Sequence, residues 1–148
     1  MQTSEEIELA RIVYLAINGS VLVERFPKLV LDIHCTVLES DGSVASALIN
    51  ASSVALIHAG IEVKDVVSSC TVSRDSNNAL CVDPSASEEA TQKGNVVVSI
   101  SPASGEVTYV SVSGSWDDQE LQQALRTGIT GCAQVDQTVR STIIQQAS

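Results

Sequence analysis

Two short stretches of the sequence carry residue types that could do chemistry. The first is Asp41-Gly42-Ser43-Val44-Ala45-Ser46, a turn that feeds an apolar helical pattern. Backbone N–H groups left unpaired at a helix start make a ready site for an anion. The same residues also serve as an ordinary capped helix start. The second is Asp83-Pro84-Ser85-Ala86-Ser87-Glu88-Glu89, where one carboxylate closes a strand and two more follow. Paired carboxylates can hold a divalent metal, and acidic loops are equally common as solvated surface. The nucleophile-elbow, Walker, dinucleotide and zinc-protease motifs are all missing. His34 and His58 have no triad partners in the sequence, and His58 falls in the last turn of a helix, where a cation meets the dipole. Gly128-Ile129-Thr130-Gly131 has the spacing of a nucleic-acid-binding KH loop, but it lies inside an amphipathic helix with no basic residue between the glycines. Cys35, Cys70, Cys81 and Cys132 form no CxxC pair and have no histidine at zinc-ligand spacing. No metal site and no cofactor are therefore expected. Buried free thiols in a reducing compartment are expected instead.

Charge narrows the functions further. The chain has 148 residues, a formal net charge of −10 and eight Lys and Arg. None of these basic residues forms a run, whereas phosphate backbones are held by clustered positive charge. The chain alone is expected to bind nucleic acid poorly, so any RNA role needs basic surface from partners. The N-terminal Met1-Gln2-Thr3-Ser4-Glu5-Glu6 lacks the basic start and apolar run of a secretory signal. No stretch approaches the ~18 apolar residues of a membrane span. The reading is a soluble nuclear or cytosolic protein with no membrane partner.

The elements that must position these residues follow from periodicity. Thr3 and Glu6 form a capping box, and Leu9, Ile12, Val13, Ala16 and Ile17 recur at helical spacing, which predicts a helix over 4–24 ended by Pro27. Residues 29–39 alternate, with Leu29, Leu31, Ile33, Cys35 and Val37 on one face, which predicts a strand. Residues 43–59 are apolar or small on nearly every face, which predicts a buried helix closed by Gly60. Strands are expected at 66–74 and 79–82, joined at Asn77-Asn78, and at 96–100 and 106–112 around Pro102-Ala103-Ser104-Gly105. Residues 84–94 read as a loop or single helical turn. A last helix starts after Trp116, capped by Ser115 or Asp117, and Gly128 and Gly131 let it pack closely on the sheet. Aromatics are few, so the core is one of Val, Ile, Leu and Ala, which suits a sheet covered by helices. The class is α+β in the order α-β-α-β-β-β-β-α.

Taken in order, these segments resemble the RNase PH family. Phe26-Pro27-Lys28 and the stretch ending Leu38-Glu39-Ser40-Asp41-Gly42-Ser43 resemble its strand and phosphate loop. Asn50-Ala51-Ser52 with Ala55-Leu56-Ile57-His58-Ala59-Gly60-Ile61 resembles its buried helix. Leu80-Cys81-Val82-Asp83-Pro84 with Glu88-Glu89, and the helix around Glu120-Leu121-Gln122-Gln123-Ala124-Leu125, resemble its later segments. The resemblance covers nearly the whole chain and is greatest to ring subunits of the eukaryotic RNA exosome. It implies an RNase PH-like mixed sheet with helices. Active members degrade RNA from its 3′ end with phosphate as nucleophile. They bind that phosphate with an arginine, and carry two aspartates six residues apart. Here Ala45 stands at the arginine's position, Asp83 at the first aspartate's and Glu89 at the second's. A methyl cannot replace a guanidinium that clamps phosphate. Gly42, Ser43 and Ser46 would be the remnant of the phosphate loop.

The resemblance thus implies a catalytically inactive ring subunit rather than an enzyme. Its partners would be other RNase PH-like exosome ring subunits and RNA-binding cap subunits, with RNA met only through the assembled complex, in nucleus, nucleolus and cytoplasm. The alternative is a phosphorolytic 3′-to-5′ exoribonuclease using Asp83 and Glu89. A third reading, free of any family, is a soluble α+β domain with a binding role. The family's N-terminal half precedes the helix that begins near Thr3, so residues 1–148 are expected to form a single partial RNase PH-like domain with faces left uncovered.

Overall fold

A computed structural model describes residues 3–146. Its elements run α1 (Ser4–Ile17), a 3-10 turn (Val23–Arg25), α2 (Val44–His58), β1 (Ser68–Arg74), β2 (Leu80–Val82), α3 (Ala86–Thr91), β3 (Gly94–Ser101), β4 (Glu106–Gly114) and α4 (Asp118–Gln146). The four strands form one sheet in the order β2-β1-β3-β4. Every pairing is antiparallel, so the sheet is not the mixed one expected. α1 and α2 cover one face and α4 the other. Between α1–α2 and the sheet lie Val13, Ala16, Ile17, Val21, Ile49, Leu56 and Val67. On the α4 side lie Cys70, Val98, Ile100 and Cys132, continued by Val72, Val96 and Ala124.

Local signals place most boundaries. The capping box is formed, with Thr3 Oγ1 accepting from the Glu6 N–H at 3.2 Å and Glu6 Oε2 accepting from the Thr3 N–H at 2.7 Å. Asp75 Oδ1 accepts from the N–H groups of Asn77 and Ala79, and Asn78 takes φ +63°, which closes the β1–β2 hairpin. Gly60 ends α2 at φ +71°, with the Ile61 N–H donating back to the Leu56 carbonyl at 3.0 Å. Asp117 caps α4, its Oδ1 accepting from the Glu120 N–H at 2.8 Å. Gly128 and Gly131 bring α4 onto the sheet as expected. A Cβ at either would stand 2.5 Å from Val98 Cγ1 or from Cys70 Sγ, respectively.

Four further expectations need correction. α1 stops at Ile17 instead of running to 24. The chain turns at Asn18-Gly19, and Val21 instead bridges Val63, which buries it in the core. Residues 29–39 form no strand. Their alternation is real, but no neighbouring edge meets it, and a strand exists only through its ladder. The element order therefore lacks that strand and gains α3. α2 is not buried all round: Ala47, Ala51 and Ala55 face outward, and its buried side carries Ser46, Ile49, Ser52, Ser53 and Leu56. The sheet beneath presents Ser69 and Thr71 to Ser46, so hydroxyls line part of that contact beside the apolar Ile49 and Leu56. Of the four thiols, Cys70 and Cys132 are buried as expected, whereas Cys35 is exposed and Cys81 half-buried. The missing ladder at 29–39 accounts for Cys35.

Candidate functional site: a cleft at the open edge of the sheet

β2 pairs with only the last three residues of β1, so the edge of β1 before Val72 is open. A cleft of about 750 Å³ lies there. Its walls are the start of α2, the loop after β2 and the middle of α4. The open edge is sealed by a side chain. Asn50 Nδ2 donates to the Ser69 carbonyl at 3.0 Å and Asn50 Oδ1 accepts from the Ser69 N–H at 2.7 Å. The carboxamide thus imitates the backbone of a neighbouring strand. Next along the edge, the Asp83 N–H donates to the Thr71 carbonyl at 2.9 Å. Asn50 was legible only as part of a motif. Its work on the strand edge had no signal in the sequence.

The two stretches with chemical potential meet at this cleft, and each caps the other. Glu89 Oε1 accepts from the Ser43 N–H at 2.9 Å, at the start of α2. Asp41 Oδ1 accepts from the Ala86 N–H at 3.1 Å, at the start of α3. Ser43 Oγ donates to the Pro84 carbonyl at 3.2 Å. Ser46 Oγ lies 2.6 Å from Thr71 Oγ1 and accepts from Ser69 Oγ at 3.2 Å. The polar groups of Ser43 and Ser46 are therefore engaged within the fold. Asp83 and Glu88 line the cleft, but Glu89 does not, because its carboxylate is turned to Ser43. Ala45 sits in the first turn of α2, outside the lining. Among the described residues the lining includes Asp41, Asp83 and Glu88 and no Lys or Arg. The Ser85 backbone N–H and hydroxyl, with the Cys81 thiol, hold the Glu88 carboxyl below its ordinary range. Burial, then Glu88 beside it, pushes the Cys81 thiol up. Among the described residues no three His, Cys, Asp or Glu side chains converge to hold a metal ion.

The docking of the two loops is tight. Gly42 has φ +87°, and a Cβ on it would stand 2.2 Å from the Pro84 carbonyl oxygen. Ser43 and Asp83 also adopt left-handed backbone, at φ +51° and +56°. Gly42→Ala is expected to destabilise the protein by about 3 kcal/mol, combining the left-handed penalty with the collision. Gly60→Ala, at φ +71° but with nothing within 4 Å, is the control. It carries only the backbone penalty of about 1 kcal/mol. Urea unfolding of the two variants measures the difference.

Comparison with known proteins bears on this geometry. Residues 1–62 match the model of domain 1 of the 3′ exoribonuclease family, and residues 65–131 match domain 2. The chain is 29% identical over 147 residues to an exosome complex component RRP41-like protein of Arabidopsis thaliana, covering 99% of this chain and 57% of that protein. It is 30% identical over 130 residues to the exosome complex component Rrp41 of Cenarchaeum symbiosum, covering 88% and 53%. The chain thus spans about half the length of the curated relatives it matches. In fold it is similar to rice Rrp46, with a TM-score of 0.78 at 17% identity, covering 96% of this chain and 67% of that one. It is also similar to a chain of the Archaeoglobus fulgidus exosome solved with RNA bound to the active site, with a TM-score of 0.68 at 20% identity, covering 92% and 62%.

Proposed function

Because the chain belongs to the 3′ exoribonuclease family, with the RNase PH-like fold, we propose that it acts as a non-catalytic subunit of an RNA exosome ring. It would support 3′-to-5′ RNA processing and degradation without breaking the chain itself. The observation that carries this reading is the state of the phosphate loop. Ala45 supplies a methyl where active members of the family supply a guanidinium. The Ser43 N–H, which would otherwise face an anion, is held by the Glu89 carboxylate. A phosphate entering the cleft would meet Asp41, Asp83 and Glu88, with no Lys or Arg among the described lining residues. An uncompensated gathering of like charge at short range is unfavourable.

The relatives' names support the exosome part of the reading: two are called exosome complex components. The partners would be other RNase PH-like ring subunits and RNA-binding cap subunits, in nucleus, nucleolus and cytoplasm. RNA would reach this subunit only in the assembly, since a net charge of −10 without a basic cluster repels a phosphate backbone. The test is release of nucleoside diphosphates from single-stranded RNA in phosphate and magnesium. No turnover is expected above background. Clear turnover that disappears in Asp83→Ala would instead establish a phosphorolytic enzyme working through Asp83 and Glu89.

A further inference from the structure

Two dipeptides in the chain place glycine after asparagine or aspartate, Asn18-Gly19 and Asp41-Gly42. In such a pair the glycine nitrogen can attack the side-chain carbonyl carbon and close a five-membered imide, because glycine has no Cβ to crowd the approach. The fold treats the two pairs in opposite ways. Asp41 Oδ1 accepts from the Ala86 N–H at 3.1 Å. Gly42 is wedged so that a Cβ on it would stand 2.2 Å from the Pro84 carbonyl oxygen. That pair is locked. Asn18-Gly19 lies just past the end of α1, and Asn18 is exposed. Its carboxamide has no hydrogen-bond partner among the described residues. The Gly19 N–H donates to no carbonyl among them, and nothing stands within 4 Å of the place a Cβ would take. Both reacting groups are therefore free. Asn18 is in the αR region, at φ −52° and ψ −38°, so its ψ must rotate before the nitrogen reaches Cγ. The rotation breaks the 2.8 Å bond from the Ser20 N–H to the Ile17 carbonyl. It does so at a helix end, where local opening takes least free energy.

We propose that Asn18-Gly19 is a site of spontaneous deamidation, at which the folded chain converts to aspartate and isoaspartate. The Gly19 nitrogen bonds to Asn18 Cγ and the Cγ–Nδ2 bond breaks. Ammonia leaves with the proton that the Gly19 nitrogen gives up. Water then opens the ring. Attack at Cγ gives aspartate. Attack at the main-chain carbonyl gives isoaspartate, whose backbone runs through Cγ and is one methylene longer. Either product puts a carboxylate at the C-terminal end of α1, the negative end of its dipole. The longer product disturbs more, because the residues that follow are fixed on both sides. Ser20 Oγ donates back to the Ile17 carbonyl at 2.8 Å. The Lys64 N–H donates to the Ser20 carbonyl at 2.7 Å, and Val21 bridges Val63. An extra methylene between Ile17 and Ser20 cannot keep the bonds to Ile17 and to Lys64 together.

The full chain, incubated at mildly alkaline pH, is followed by peptide mapping and by labelling with an isoaspartyl methyltransferase. Isoaspartate is expected at residue 18, with Asp41 unchanged over the same time. Gly19→Ala is expected to lose most of the conversion. Gly19 is outside the left-handed region and has room for a Cβ, so this variant folds as the parent does. The aged protein is expected to melt at a lower temperature than Asn18→Asp, which carries the new charge without the longer backbone. An intact Asn18 after long incubation would overturn the proposal. So would conversion at an equal rate in Gly19→Ala, because the attack would then owe nothing to the glycine. Conversion of Asp41 in step with Asn18 would overturn it too, since it would mark reaction through unfolded chain. Aged protein that melts together with Asn18→Asp would overturn the effect assigned to the longer backbone.

Discussion

Arg74→Ala is expected to lower the free energy of unfolding by about 3–5 kcal/mol, the range for removing one partner of a buried ion pair. Arg74 closes β1, and its side chain is only 8% exposed. Its guanidinium donates to Glu120 at the start of α4 and to the Ser115 carbonyl. It also lies 4.9 Å from the centroid of the Trp116 ring. Trp116 itself packs on Gly94, where a Cβ would stand 2.6 Å from the ring. One side chain thus ties the end of β1, the Trp116 link and the first turn of the 29-residue α4. Removing it leaves the largely covered Glu120 carboxylate without a cation, and opens a gap beneath the indole. Arg74→Lys keeps the charge but loses the planar fork, so it should recover part of the loss and no more. Guanidinium unfolding of the three proteins, followed by Trp116 fluorescence, gives both numbers. Equal stability for Arg74→Ala and the parent would show that the packing of α4 on the sheet holds it without the Arg74 contacts.

Raising the pH is expected to unfold the protein through its thiols. Burial, with Asp83 nearby, pushes the Cys70 thiol up to about 11 from an ordinary 9.0. Burial, with Cys70 beside it, pushes Cys132 up to about 12. Both are buried between α4 and the sheet, where a thiolate is poorly solvated. The folded chain then holds its thiol protons more tightly than the unfolded chain does. That contribution to stability is complete below pH 9 and is lost as pH rises through 11 to 12. Each unit of upward shift corresponds to about 1.4 kcal/mol, a sizeable share of a domain's total of about 5–15 kcal/mol. Urea midpoints between these limits should fall with pH. In Cys132→Ala the slope should be shallower by about one proton. A thiol reagent at neutral pH should modify the exposed Cys35 and leave Cys70 and Cys132 untouched until the chain unfolds. A flat pH profile above 9 would mean that water reaches the α4 interface.

What the sequence determined by itself was whatever a few neighbouring residues decide. The Thr3–Glu6 box, the Asn77-Asn78 hairpin, Gly60 as the end of α2 and Asp117 as a cap all act within one turn of chain. The close seat of α4 was legible as two glycines in an otherwise good helix. The family was legible because its segments keep their order and spacing. Ala45, at the arginine's position, and the charge of −10 were legible as plain residue identities. What only the tertiary structure decided were partnerships across long stretches of chain. Periodicity says that residues 29–39 can be a strand, but a strand exists only through its ladder, and residues 29–39 pair with none of the four strands. The apolar pattern of α2 gave no hint that Ser46, Ser52 and Ser53 would share its buried side with Ile49 and Leu56, because the hydroxyls that meet Ser46 come from β1. Glu89 looked like half of a carboxylate pair with Asp83. It instead accepts from the N–H of Ser43, 46 residues earlier at the start of α2, because the loop after β2 folds back against Gly42. Arg74 looked like one of eight scattered charges, and became the clasp of α4 because β1 ends beneath Glu120. Local rules act over a few residues along the chain, whereas a strand register or an ion pair is chosen only when distant segments meet.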